Sequence, residues 1–140
     1  MNYSRRDLGL LLPALAAAGG AAQPKALPSK AYKYEDLVAR GNGPNKSRAV
    51  FNGENHSGIP VELHITELGA GQSPHAPHKH VNEEVLMLRS GILDATINGE
   101  TTRVTAGSVV YAASNDLHGW RNPGPEPAQY FVIALGSTSA

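Results

Sequence analysis

Cysteine is absent from the chain, and charge of either sign is scarce. Without cysteine, disulfide bonds, thiolate zinc sites and a cysteine nucleophile are all excluded. Lysine plus arginine equals aspartate plus glutamate at 12 each, so the formal net charge is zero. A neutral chain argues against nucleic acid or an anionic membrane as the main partner. The 140 residues, 41% of them hydrophobic, have the composition of one globular domain.

The apolar stretch near the N-terminus is too short to span a bilayer, and its surroundings are those of an export signal. An arginine pair comes first, an apolar run covers 8–18, and small residues continue to Ala22. The pair, with Leu8 two places behind it, resembles twin-arginine signals, which export folded proteins, often with a cofactor in place. We expect residues 1–22 to be removed on export to the periplasm or beyond, with Ala18 as the alternative cleavage position. The mature chain is then expected to have no stable membrane insertion.

Residue composition and pattern divide the remaining chain into two parts. Residues 23–46 are rich in proline, glycine, lysine and asparagine, which predicts a linker and an extended N-terminal arm with one short turn near 35–37. From 47 to 137, short apolar runs alternate with turn signals, which predicts a single folded domain.

The folded part shows period-two patterns and no sustained helical period. Asn98-Gly99 lies between two alternating segments within 92–104, and this dipeptide is the strongest short signal of a β-hairpin. At least six short strands at this spacing predict an all-β sandwich or barrel. The other segments predicted as strands are 61–68, 84–91, 107–113 and 128–135.

Three of the six histidines fall within six consecutive positions, just before two glutamates. His78 and His80 are two residues apart, so in an extended segment both side chains leave on one face. Glu84 has the parity of His80, and His118 follows a turn further along the chain and completes a set of four. Three imidazoles and a carboxylate suit one divalent ion such as Fe, Mn, Ni, Co or Zn. A polar loop with incidental hydrogen bonds is the alternative interpretation.

These residues resemble the first of two motifs of the cupins, which are small jelly-roll β-barrels. That motif is a glycine, a spacer, His-x-His, three or four residues, a glutamate, six residues and a glycine. His78 and His80 form the pair, Glu84 follows after three residues, and Gly91 follows after six more. Gly71 stands one residue further upstream than is usual.

The second cupin motif is matched at its spacing, with two substitutions. Gly107, His118 and Asn122 hold their positions, while Ala113 replaces the usual proline and Asn115 replaces the usual glycine. Asparagine is the non-glycine residue best able to adopt a left-handed turn conformation, so the second substitution is expected to be mild.

The resemblance covers residues 48–136 and implies both a fold and a metal site. The fold is a single all-β cupin jelly-roll barrel, also called a double-stranded β-helix, with the N-terminal arm outside it. The implied ligands of one divalent metal are His78, His80, Glu84 and His118, and the metal itself is Fe, Mn, Ni or Zn. Four ligands on a six-coordinate ion leave two positions open for water, dioxygen or substrate.

Residues near these ligands have candidate roles in the same cavity. His75, just ahead of the His-x-His pair, is either an acid/base group at the cavity mouth or a solvated loop histidine. Trp120 shares the parity of the histidine two residues earlier, which places it either beside the metal or in the core. Leu86 and Leu88 share the parity of Glu84 and are predicted to line the cavity.

Two further residues are assigned by strand parity. Glu83 has the opposite parity to its neighbour and is predicted to face outward. His64 alternates with apolar residues, but the sequence does not say which face of its strand looks inward, and a surface position is the preferred prediction. With few charges predicted inside, the cavity is expected to take a small apolar or aromatic molecule, or one held through the metal.

Two functions follow from this reading of the sequence. The first is a mononuclear metal enzyme acting on a small molecule, for which the resemblance implies dioxygenase-like chemistry before isomerase, lyase or decarboxylase chemistry. The second is a non-catalytic cupin that binds a small molecule or a metal without turnover. A homodimer is also expected, because cupins commonly pair strands between copies and this pairing covers exposed sheet edges.

Overall fold

The structure, a computed structural model, describes residues 26–136. The predicted export signal, residues 1–22, lies outside the described residues. Within the described range there is one short 3-10 helix, Tyr34–Asp36, and no helix long and apolar enough to cross a membrane. The strands are β1 (Lys46–Glu54), β2 (Pro60–Leu68), β3 (Glu83–Ser90), β4 (Ile92–Ile97), β5 (Glu100–Thr105), β6 (Val109–Ala112), β7 (His118–Arg121) and β8 (Ala128–Leu135).

The eight strands form two antiparallel sheets that face each other. One sheet has the order β1-β2-β8-β3-β6, and the other has the order β5-β4-β7. Strands that are distant in sequence, such as β2, β8 and β3, are neighbours in the larger sheet. This is the predicted all-β jelly-roll barrel, and the prediction is confirmed.

The core lies between the inner faces of the two sheets, because alternate residues of each strand point inward. On β8, for example, Ala128, Tyr130 and Val132 are buried while the intervening side chains are partly exposed. Burial of this apolar set is the main stabilising contribution to the barrel. The other buried core residues are Leu68, Leu86, Leu88, Leu93, Ala95, Val110, Ala112 and Trp120.

The predicted hairpin is formed by β4 and β5. Asn98 and Gly99 both have positive φ, at 48° and 87°, as a type I′ turn requires. A second glycine is required where β3 ends: Gly91 has a φ of +83°, and a Cβ there would lie 2.7 Å from Cα of Ala128. Only glycine fits that crossing, which sets the register between the end of β3 and the start of β8.

The N-terminal arm packs on the outer face of the larger sheet of its own barrel. The hydroxyl of Tyr34 donates to Oε1 of Glu67 at 3.0 Å and accepts from Nε2 of Gln129 at 3.0 Å. The guanidinium groups of Arg48 and Arg89 lie over the Tyr34 ring at 4.8 and 5.6 Å. Burial raises the pKa of Glu67, but hydrogen bonds from Arg48 and Tyr34 and nearby positive charge hold it below its usual value.

Candidate metal site

Two histidines of the candidate site are held opposite each other by their own backbones. The N–H of His78 donates to the carbonyl of His118 at 3.0 Å, and the N–H of His118 donates to the carbonyl of His78 at 2.9 Å. The loop before β3 is thereby paired with the first residue of β7. This pairing brings together the histidines of the two sequence motifs.

His80 is fixed by the turn that precedes β7. The backbone N–H of Asn115 donates to the carbonyl of His80 at 2.8 Å, and Asn115 has a φ of 63°. The predicted left-handed conformation of Asn115 is therefore confirmed. The substitution of asparagine for the usual glycine keeps the turn that supports the histidine.

The three imidazoles converge on one point. Ring centroids of His78, His80 and His118 are separated by 4.8 to 4.9 Å. One ring nitrogen from each histidine lies within 4.8 Å of the other two, which is a spacing that could hold one metal ion. His118 is almost completely buried, and the other two are partly buried.

Hydrogen bonds fix the tautomers of two of the rings. Nδ1 of His80 lies 2.8 Å from the carbonyl of Asn82, and Nδ1 of His118 lies 2.8 Å from the carbonyl of Asp116. A carbonyl only accepts, so each Nδ1 carries the proton and each Nε2 presents a lone pair in the neutral ring. Backbone partners of this kind orient metal-ligating histidines.

The nitrogens that face the centre have no hydrogen-bond partner. The buried, unpartnered atoms are Nδ1 of His78 and Nε2 of both His80 and His118. The carboxylate of Glu84 lies 3.2 Å from Nε2 of His80 and 3.5 Å from Nε2 of His118. Lone pairs that face a carboxylate repel it unless a cation or a proton stands between them. The donor set therefore fits a bound divalent metal.

The electrostatics of His78 favour a neutral ring. Burial lowers its pKa, and the neighbouring His75, His118 and His80 lower it further, while Glu84 acts in the opposite direction. A neutral imidazole is the form that binds a metal, so the environment leaves this ring in its coordinating form at neutral pH.

Two side chains from the same stretch lie outside the cluster. The exposed ring of His75 meets His78 edge-on at 4.2 Å between centroids, and its Nδ1 lies 2.9 Å from the carbonyl of Ala76. Glu83 lies on the other face of β3 and accepts a hydrogen bond from Tyr111, which raises the pKa of that phenol. His75 thus borders the cluster, and Glu83 is remote from it.

A cavity of about 440 Å³ adjoins the cluster, a volume within the range of small-molecule sites. Its lining includes Glu84, Trp120 and Tyr130. The ring of Trp120 lies 5.3 Å from that of His118, so the single tryptophan forms a wall beside the cluster. His64 also lines this cavity. The surface position favoured for it from sequence is wrong, because its parity proves to be that of the inner face of β2.

The two leucines expected in the cavity lie deeper. Leu86 and Leu88 are on the Glu84 face of β3, but they are buried at 0% and 2% exposure in the core, and the cavity lining does not include them. A cation that sequence reasoning did not select, Arg40, does line the cavity. Its position depends on a backbone pairing of the arm with β1, for which the sequence carries no short-range signal.

Tyr130 supplies a buried hydroxyl to the cavity. Its side chain is 1% exposed, and burial together with the charge of Glu84 raises the pKa of its phenol, against a hydrogen bond with Thr66 that lowers it. The phenol therefore remains protonated at neutral pH and is available as a hydrogen-bond donor.

Residues 64–134, just over half of the chain, match the Cupin_2 family, described as "Cupin domain". The chain belongs to the cupin family. This match spans the whole candidate site, from His64 to β8. No curated protein matches this cupin in sequence.

Solved structures show the same fold at low sequence identity. An RmlC-like cupin from Shewanella frigidimarina has a TM-score of 0.65 and 17% identity, covering 79% of this chain and 95% of its own. A predicted oxalate decarboxylase from Thermotoga maritima has a TM-score of 0.65 and 15% identity, covering 77% and 100%. The polyketide cyclase RemF from Streptomyces resistomycificus has a TM-score of 0.64 and 17% identity, covering 81% and 83%. These likenesses establish the fold alone.

Proposed function

We propose that this cupin binds one divalent transition metal, Fe, Mn, Ni or Zn, through the three clustered histidines and Glu84. We further propose that it is an oxygenase-like metal enzyme that acts on a small molecule. The observation that carries the proposal is the set of three buried histidine nitrogens without hydrogen-bond partners, two of which lie 3.2 and 3.5 Å from the carboxylate of Glu84.

The residues of the chain have distinct parts in this proposal. A bound divalent ion would polarise oxygen atoms of the substrate and, as iron or manganese, support reaction with dioxygen. Glu84 offsets part of the positive charge, and the carbonyls behind His80 and His118 keep those rings oriented. Trp120 and Tyr130 form an aromatic wall and exclude water beside the cluster. His75 at the mouth is the candidate for proton transfer to solvent.

Metal content tests the first half of the proposal. Protein purified after incubation with each of the four metals is analysed for bound metal, and about one equivalent is expected. His78→Ala and His118→Ala should each lose it while the barrel still folds, as judged by circular dichroism. His56→Ala, which changes an exposed turn histidine, is the matched control and should retain the metal. Full metal content in both site variants would remove this site.

Turnover tests the second half. Dioxygen uptake is measured on the iron- and manganese-loaded protein with a panel of small oxygen-bearing molecules, and His118→Ala should abolish any uptake. The solved neighbours include a polyketide cyclase and a predicted oxalate decarboxylase, so product analysis without dioxygen belongs in the same screen. Ligand binding without turnover under every metal would instead support a non-catalytic cupin.

We also propose that the protein is exported to the periplasm or beyond. The support is the N-terminal sequence alone, with its arginine pair, apolar run and small residues. Cell fractionation should find the wild-type protein shortened and outside the cytoplasm. Replacement of both arginines by lysine should retain it inside.

A homodimer is the remaining proposal. Val109 and Tyr111 on the edge strand β6 are 62% and 52% exposed, and exposed apolar residues on a sheet edge favour pairing with another copy. Analytical ultracentrifugation should show a dimer, and Val109→Lys should shift it toward monomer. A monomer at all concentrations would contradict this proposal.

A further inference from the structure

The loop between the N-terminal arm and β1 forms one side of the cavity mouth. Arg40 and Ser47 are joined by two backbone hydrogen bonds of 2.8 and 2.7 Å, which close the loop at its base. Oδ1 of Asn45 accepts from the backbone N–H of Gly69 at 3.1 Å, which ties the loop to the barrel. At Gly41, φ is +139° and a Cβ would lie 2.3 Å from the carbonyl oxygen of Asn45. The loop therefore has one well-defined shape.

The pairing decides which way Arg40 faces. Residues directly opposite each other in an antiparallel pair project to the same side of the sheet. Arg40 is opposite Ser47, and Ser47 is opposite Thr66, whose side chain is buried on the inner face of β2. All three residues line the cavity. Arg40 thus belongs to a row on the cavity side of the sheet.

The neighbouring cations interact with Glu67 on the other face of the sheet, although Lys46 also contributes to the cavity lining. Lys46 and Arg48 have the opposite parity to Ser47, and Lys46 is opposite Glu67 in the strand register. Arg48 forms an ion pair with Glu67, and the charge of Lys46 helps to lower the pKa of that carboxyl. Among the residues that the structure describes, no carboxylate forms an ion pair with Arg40. Its guanidinium is therefore available for an anion from outside the chain.

The two ends of the cavity complement different parts of one molecule. Where Glu84 lines it, the cavity adjoins the clustered histidines, and this donor set suits a group that binds a metal through oxygen. At the mouth, a guanidinium presents the planar donors that match a carboxylate with two hydrogen bonds. Trp120 and Tyr130 lie in the same lining and provide aromatic surface for a ring.

Resting on the proposed metal site, we propose that Arg40 binds a carboxylate of the substrate. The substrate is then a small anion, of a size suited to the cavity of about 440 Å³, with oxygen atoms for the metal at one end and a carboxylate at the other. The sequence-based expectation of few charges inside the cavity did not include this cation, because it comes from the arm and not from the barrel strands.

Two matched probes test the assignment. 3,4-Dihydroxybenzoate and 3,4-dihydroxybenzamide carry the same pair of metal-binding oxygens, and only the first has a carboxylate. Their dissociation constants are measured by calorimetry on the zinc-loaded protein, since zinc has no redox chemistry of its own. The wild type should bind the benzoate at least about tenfold more tightly than the benzamide, as expected for a charged hydrogen-bonded pair.

Variants test whether Arg40 causes the preference for the benzoate over the benzamide. Arg40→Gln should abolish it without changing benzamide affinity, zinc content or thermal stability, and Arg40→Lys should keep part of it. Lys33→Gln removes the same charge from an exposed position of the same arm that does not line the cavity, and should keep all of it. No preference in the wild type, or an unchanged preference in Arg40→Gln, would overturn the assignment. Those results with zinc present leave the metal site intact, whereas failure of the wild type to retain zinc removes both proposals.

Discussion

The two ends of β7 carry buried polar side chains with opposite hydrogen-bonding status. His118 begins the strand and Asn122 follows its last residue, at 1% and 0% exposure. The amide of Asn122 donates to the carbonyls of Leu68, Gly69 and Glu126 at 2.8 to 3.1 Å, and accepts from the N–H of Gly124 at 2.9 Å. Nε2 of His118 is buried and has no hydrogen-bond partner.

The difference separates a structural role from a binding role. A buried polar group whose partners are all present stabilises the native fold, whereas one left without partners costs free energy unless something else satisfies it. Asn122 joins the loop between β7 and β8 to the end of β2 and the loop that follows it. The histidine cluster is paired on its outer side with carbonyls and left open on its inner side, as a site for an ion requires.

Removal of the Asn122 amide should have the largest effect on the fold. Asn122→Ala removes the side-chain hydrogen bonds to four backbone groups, and the free energy of unfolding should fall by about 3 kcal/mol. Urea unfolding of the metal-free and the zinc-loaded protein should show the same loss. Asn52→Ala, which removes one exposed hydrogen bond to Glu62, is the control and should change stability little. A loss confined to the zinc-loaded protein would contradict the structural role.

Zinc should stabilise the histidine end of the molecule by a comparable amount. At a free zinc concentration one hundred times the dissociation constant, binding to the folded state adds about 2.7 kcal/mol. His118→Ala should abolish this increment, and Asn122→Ala should retain it in a weaker fold. The measurement is urea unfolding with and without zinc. An increment that survives in His118→Ala would place zinc elsewhere.

Lowering the pH should weaken the zinc stabilisation at the histidine cluster without changing the contribution of Asn122. Protons compete with zinc for neutral histidines, so the zinc increment should shrink as the pH falls from about 7.5 to about 5.5. Burial lowers the pKa of His78 in the folded state. Below the unfolded value of about 6.5 the unfolded chain therefore binds a proton that the folded chain does not, and the metal-free protein also loses stability. An amide does not titrate, so the cost of Asn122→Ala should be the same at both pH values. A zinc increment that is independent of pH would contradict histidine ligation.

Local signals predicted the frame of the barrel well. The limits of β8, 128–135, agree with the sequence pattern, because alternating apolar residues between turn signals leave little choice of register. The Asn98-Gly99 turn and the left-handed Asn115 were predicted for the same reason, since positive φ is a property of the residue type. The convergence of three histidines also followed from strand parity and motif spacing.

Long-range choices could not be read from those signals. The alternating pattern of 61–68 predicts that His64 and its neighbours point to opposite faces of a strand. Only the assembled barrel decides which of these faces points inward. Leu86 and Leu88 have the predicted parity, yet they are buried in the core, whereas their register partners on β8, Val132 and Tyr130, line the cavity. Arg40 reaches the cavity because the arm pairs with Ser47, a contact made by backbone groups that every residue carries.

The smallest expected effects come from one methyl group added beside each region. A Cβ at Gly119 would lie 3.2 Å from Pro77, the residue before His78, and a Cβ at Gly124 would lie 3.3 Å from Oδ1 of Asn122. Each neighbour must move by a few tenths of an ångström. Gly119→Ala should weaken zinc binding by roughly threefold to tenfold, because ligand geometry tolerates only about 0.5 Å.

Gly124→Ala should leave zinc affinity unchanged and lower the free energy of unfolding by about 1 kcal/mol, because it crowds the Asn122 hydrogen bonds and the adjacent Ile92 side chain. Zinc titration gives a dissociation constant for each variant, and urea unfolding gives a free energy of unfolding for each. If the two ends of β7 have separate roles, each variant changes mainly one of them. If both variants change only zinc affinity, or both change only stability, then Asn122 and the histidine cluster do not have separate roles.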